Sequence, residues 1–193
     1  MSTQEQNVEL VGEAVASNLV RMAMFAALTG AFAYVSFQNP ISPVPVTLQV
    51  LGVFLAGVFL GPLWGGASML VYVATGAMGA PIFAGGSAGL GVLLGPYGGY
   101  LWSYPFAAAA LGLVVHGVDG LNTPKEVGLA RLVAGMVAAT AIIYAFGTVG
   151  YAFVNGVGLY EAFLVAAAAF VPVEALKMAA AVGIVRSDAI AAE

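Results

Sequence analysis

Two ionisable side chains stand three residues apart in an otherwise apolar run: Glu174 and Lys177, in FVPVEALK. On a helix that spacing puts both on one face. A carboxylate accepts N–H groups, and an ammonium donates to a carbonyl or carboxylate. An ionisable residue inside a membrane span is costly and is read as functional, with its partner named. Here each residue can be the other's partner, so the sequence admits two roles. The pair either locks its helix into a bundle as a structural ion pair or grips a small polar ligand. Thr47 and Gln49 stand where neutral hydrogen bonds can join that grip, whereas Tyr72 reads as a packing residue with a satisfied hydroxyl. No Ser/His/Asp set, metal-ligand cluster or HExxH motif occurs, and there is no cysteine. Catalysis, a bound metal and a cofactor are therefore not expected.

The second chemical feature is FAGGSAGLGVLLGPYGGY, Phe83 to Tyr100, with seven glycines and no charge. Glycine allows positive φ and close backbone approach, and successive free N–H groups make an anion-binding concavity. The pattern GxxxxGK[ST] is missing, so nucleotide phosphate is not the expected guest. A solvated loop would be more polar than one containing Leu90, Val92, Leu93 and Leu94. The stretch is therefore expected to form a lid. Phe83, Gly85, Gly86, Ser87 and Tyr100 are its members assigned to ligand contact.

The elements that must position these residues follow from composition. Only 7% of the residues are charged and 62% are apolar, with a mean hydropathy of +1.01. No formal charge occurs between Arg21 and Asp119. Such a run cannot cover a water-facing surface, so the chain is expected to be an all-α integral membrane protein in a lipid bilayer. The net charge of −4 rests on few groups, among them Glu5, Glu9 and Glu13, and points to no nucleic-acid partner.

About 20 apolar residues span a bilayer as a helix, and the breakers divide the chain into six such segments. The first runs from Val20 to Phe37 and stops at the three prolines of QNPISPVPV. Val46 to Ala80 is too long for one crossing, and Gly61-Pro62 turns it into two. The glycine-rich stretch separates helices three and four; the fourth is Tyr97 to His116 and the fifth Val127 to Ala152. Pro172 opens the sixth, and Tyr160 to Phe170 forms a short extra helix before it. Residues 1–19 are then a polar segment and 20–193 one membrane domain. Arg21, Lys125, Arg131 and Arg186 share one side with both termini, which the positive-inside rule makes cytoplasmic. Ala23, Ala27 and Ala31 form a small-residue stripe on helix one, for close packing inside the bundle or against a partner. His116 reads as an interfacial residue and the loop after it as solvated.

Three stretches taken together, PVPVTLQVLGVFLAGVFLGPLWGGASMLVYVATGAMGAPIFAGG, GPYGGYLWSYPFAA and FVPVEALK, resemble the BioY family. Its members are the biotin-specific S components of energy-coupling-factor (ECF) vitamin transporters. The resemblance covers the chain from about Arg21. It implies six helices, a biotin pocket in the outer half beneath the first and third loops, and residence in the plasma membrane. It also implies assembly with a membrane coupling subunit and two ABC ATPases, and it assigns the Ala23, Ala27 and Ala31 stripe to contact with that subunit. The family pattern in helix six is Asp-x-x-Lys, where this chain has Glu174, which keeps the charge and extends it by a methylene. Two other readings are an S component for a different vitamin and a stand-alone transporter in which Glu174 and Lys177 exchange a proton.

Overall fold

Gly61 governs the path of the chain. Its φ of 75° and ψ of −172° lie outside the helical region, and Pro62 follows, so the long helix α2 (Gln49–Ala77) is broken at that point. Residues 49 and 72 of a straight helix would be about 35 Å apart, yet Gln49 Nε2 donates to Tyr72 Oη at 2.6 Å. A Cβ on Gly65 would sit 2.9 Å from the Ala56 carbonyl oxygen. The two halves of α2 are therefore antiparallel and in close contact. Gly112 of the neighbouring helix sits against the turn, since a Cβ there would come within 2.4 Å of Gly61 C and 2.5 Å of Pro62 N.

The computed structural model describes residues 12–40, 42–118 and 120–187. Besides α2, the helices are α1 (Glu13–Ala33), the single-turn α3 (Leu90–Leu93), α4 (Gly98–His116), α5 (Leu129–Asn155), α6 (Leu159–Ala166) and α7 (Val171–Arg186). The folded-back α2 is central: it packs on α1 and α4, and α4 packs in turn on α5. Among the described residues, five helical stretches are long and apolar enough to cross a membrane: α1, α2, α4, α5 and Leu159–Arg186. Of these stretches α1 is the least buried. Ala26, Thr29, Gly30 and Ala33 are its buried face, and Thr29 sits where a Cβ on Gly52 would meet its Oγ1 at 2.4 Å.

Several expectations are corrected. Helix α1 begins at Glu13, inside the segment taken as polar, and ends at Ala33, four residues before Phe37. The chain after it forms a small antiparallel ribbon, β1 (Ser36–Phe37) with β2 (Val46–Thr47), pairing Ser36 with Thr47 and Phe37 with Val46. The three prolines prevent helix between the strands but not extended pairing beside them. The glycine-rich stretch is also partly ordered, with a 3₁₀ turn at Ala84–Gly86 followed by α3. Gly85, Gly86 and Gly89 have φ of 65°, 77° and 90°, so glycine there serves the backbone bend. The expected short helix before Pro172 is α6, and α7 starts at Val171. Glu5, Glu9 and Asp119 lie outside the described residues.

Candidate functional site

At the end of the bundle where α4 and α7 begin, a cavity of about 380 Å³ opens between the ribbon, the glycine-rich segment, α4, α5 and α7. Its position relative to the cations follows from helix direction. Tyr100 and Tyr104 line it from the first turns of α4, while His116 ends that helix at the far side. Arg186, at the last turn of α7, donates to the Lys125 and Val127 carbonyls, and Arg131 Nε donates to the Val114 carbonyl at 2.6 Å. The basic end and the cavity are thus opposite ends of the molecule.

Pro172 in the first turn of α7 pre-sets the helical φ, with Glu174 in that same turn and Lys177 in the next. Glu174 and Lys177 both line the cavity. Lys177 Nζ donates to Glu174 Oε1 at 2.6 Å, and the two side chains are only 5% and 4% exposed. The second carboxylate oxygen, Oε2, is buried and has no partner. The pair is electrically neutral as a unit and retains a free acceptor.

Thr47 and Gln49 also line the cavity, but their polar groups are largely committed. Thr47 Oγ1 donates to Gln49 Oε1 at 2.7 Å, Gln49 Nε2 donates to Tyr72 Oη at 2.6 Å, and Tyr72 Oη donates to the Ile82 carbonyl at 2.8 Å. This relay ties the ribbon to both halves of α2 and to the start of the glycine-rich segment. Tyr72 is indeed a packed residue with a satisfied hydroxyl. Gln49 keeps one N–H beyond the relay.

Phe83 is fully buried on the cavity wall and meets Tyr72 edge-on, with ring centroids 5.6 Å apart. Gly76 makes room for it, because a Cβ there would lie 2.3 Å from the ring. Ser87 lines the cavity, and its Oγ donates to the Ala84 carbonyl at 2.9 Å. Gly85 and Gly86 do not line it: Gly85 is exposed, and Gly86 sits beside the Tyr34 ring, 3.5 Å from where its Cβ would be. Gly91 and Gly95 take the wall positions instead. Tyr100 presents its ring to the cavity and packs on Gly147, while its hydroxyl donates to the Ala166 carbonyl.

Three similar bonds join the rim: Tyr34 Oη donates to the Pro81 carbonyl, Tyr97 Oη to that of Pro43 at 2.9 Å, and Ser42 Oγ to that of Val165 at 2.8 Å. Together with Tyr100 they connect α1, the ribbon loop, the glycine-rich segment, α4 and α6.

The wall also contains Tyr104 and Tyr144, which sequence reasoning missed. Tyr104 follows Tyr100 by one helical turn, a spacing that placed it on the same face. It stacks on Tyr72 with centroids 6.3 Å apart. Tyr144 belongs to a series with Thr140 and Thr148, every fourth residue of α5, and that period was the available signal. His116, at the end of α4, is buried: Nε2 meets the Val58 carbonyl at 2.7 Å, and Nδ1 accepts from Asn122 N at 3.0 Å. Ala23, Ala27 and Ala31 are exposed, on the face of α1 turned away from the bundle.

A family model for BioY matches residues 2–192. This chain belongs to the BioY family. Its BioY relatives include the biotin transporter of Rhizobium etli, 37% identical over 83% of this chain and 86% of that protein. That of Rhodobacter capsulatus is 36% identical over 80% and 74%, and that of Thermotoga maritima 40% identical over 67% and 70%. The BioY fold is shared with a solved S component for biotin from an ECF-type ABC transporter, with a TM-score of 0.81 over 91% of this chain and 92% of the other at 24% identity. A second S component of a bacterial ECF transporter aligns at a TM-score of 0.54, with 17% identity over 89% and 92%. BioY proteins are transporter components and not enzymes.

Proposed function

We propose that this chain is the biotin-binding S component of an ECF-type uptake transporter, capturing biotin in the cavity at the outer end of the bundle. The observation that carries the reading is the Glu174–Lys177 pair: buried, neutral, on the wall of a roughly 380 Å³ void, with Oε2 unpartnered. That volume falls in the range of small-molecule pockets, roughly 300–1,000 Å³. Biotin has a ureido ring with two N–H donors and a carbonyl, an apolar bicycle and a carboxylate tail. The aromatic walls of Phe83, Tyr100 and Tyr104 suit the bicycle, and Ser87 with the backbone at Gly91 and Gly95 lines the cavity where the tail can be met.

In this reading the two halves of α2 cross the bilayer separately, giving six crossings with both termini in the cytoplasm of a plasma-membrane protein, as the location of Arg131 and Arg186 at the end away from the cavity supports. A membrane coupling subunit and two ABC ATPases supply the transport energy, and the exposed alanine stripe of α1 meets the coupling subunit. Isothermal titration of the purified chain with biotin tests the reading. Saturable one-to-one binding is expected; titration without heat or spectroscopic change would overturn it. Competition with thiamine and riboflavin is expected to leave biotin bound, and displacement by either would make this an S component for that vitamin.

A further inference from the structure

Among the described residues, four buried side-chain polar atoms have no hydrogen-bond partner: Thr140 Oγ1, Tyr144 Oη, Thr148 Oγ1 and Glu174 Oε2. Buried polar groups are almost always paired, so each such group calls for an explanation. Three of them recur every fourth residue of α5 and so share one face. Only Tyr144 and Glu174 line the main cavity. The same two residues also line a second void of about 370 Å³ between α5 and α7, where Thr140 joins them. Tyr144 and Glu174 thus belong to the walls of both cavities, and each carries one buried atom, Oη and Oε2, without a partner.

Their chemistry is complementary to one kind of group. A carboxylate oxygen is an acceptor only, whereas a phenol hydroxyl can donate. No bond joins the two in the structure, so a guest that satisfies both must bring a donor for Oε2 and an acceptor for Tyr144. Its polar end must also be uncharged. Glu174 is already neutralised by Lys177, and a second anion against Oε2 would be buried without compensation. A cyclic urea offers an N–H beside a C=O and no charge.

We propose that Tyr144 is a ligand-contacting, specificity-determining residue, donating its hydroxyl proton to the carbonyl of a cyclic-urea ring whose N–H is accepted by Glu174 Oε2. The proposal rests on the biotin reading above and adds a residue to it. Thr140, on the second void only, and Thr148, on neither, are not contacts.

The test uses the full chain in detergent, titrated with biotin carrying a ¹³C-labelled ureido carbonyl. Tyr144→Phe is expected to weaken binding by about tenfold, the loss of one net hydrogen bond, and to shift the bound ureido C=O stretch to higher wavenumber. Thr140→Val and Thr148→Val are expected to change affinity by less than about twofold, because neither lines the ligand cavity. Unchanged thermal melting of Tyr144→Phe separates contact from folding; should that variant unfold, the carbonyl band of wild type, lowered from its position in water-free solvent if a phenol donates to it, carries the same decision. An unshifted carbonyl band would overturn the assignment, as would a Thr140→Val loss equal to that of Tyr144→Phe. Biotin binding by wild type with Tyr144→Phe unchanged sinks the Tyr144 role alone; no binding by wild type sinks the biotin reading beneath it.

Discussion

Removing either member of the Glu174–Lys177 pair leaves the other as an uncompensated charge in a buried site, a far costlier condition than losing both. Glu174→Gln and Lys177→Met are each expected to weaken biotin binding by more than tenfold, about 1.4 kcal/mol or more. The double variant should lose less than the sum of the two, because the residues act as one unit. Titration calorimetry on the three variants reads this directly, and strict additivity would mean the two contact the ligand independently. The pair was legible in the sequence because a charge inside an apolar span has few physical explanations. Tyr104 and Tyr144 were not, since a tyrosine in such a span is equally at home packing its ring. Thr47 and Gln49 were legible as polar wall residues, but not their engagement with Tyr72, 23 residues further on, which only the folded-back helix creates. Gly85 and Gly86 misled for a different reason: glycine announces backbone freedom, which here is used in a bend and not in a contact surface.

At the level of elements, the reversal of α2 at Gly61 brings Gln49 to Tyr72 and so sets one wall of the cavity. A side chain at Gly61 would strain the backbone at φ 75° and meet Leu121 at 2.3 Å. Gly61→Ala is therefore expected to destabilise the protein by about 1–3 kcal/mol. Gly183→Ala is the control: no atom lies within 4 Å of a Cβ there, and alanine in a helix interior is favoured by about 1 kcal/mol. Thermal melts in one detergent should move in opposite directions, and a Gly61→Ala melt equal to wild type would show that the turn tolerates a side chain. The break at Gly61-Pro62, the short helix before α7 and the start of α7 were readable because Pro and Gly restrict the backbone locally. The β ribbon was not, because its pairing joins Ser36 to Thr47 across a loop whose prolines say only what it cannot be.

For the molecule as a whole, α1 buries Ala26, Thr29, Gly30 and Ala33 inward and exposes Ala23, Ala27 and Ala31 outward. The sequence offered both packing roles for that stripe, and its exposure leaves the packing inside the bundle to the other small residues of α1. Ala27→Leu is accordingly expected to leave biotin affinity within about twofold, since nothing at the cavity changes, while reducing recovery of the coupling subunit in co-purification by several-fold. Full recovery would assign the stripe to lipid. The ties around the cavity mouth have a consequence of another kind. Tyr34, Ser42, Tyr97 and Tyr100 all end on main-chain oxygens, at Pro81, Val165, Pro43 and Ala166. A main-chain oxygen is present whatever residue contributes it, so the identities of those four acceptors are free to drift. Segment length is not: adding or deleting one residue moves the oxygen out of reach, and the mouth should tolerate spelling changes far better than changes in word length.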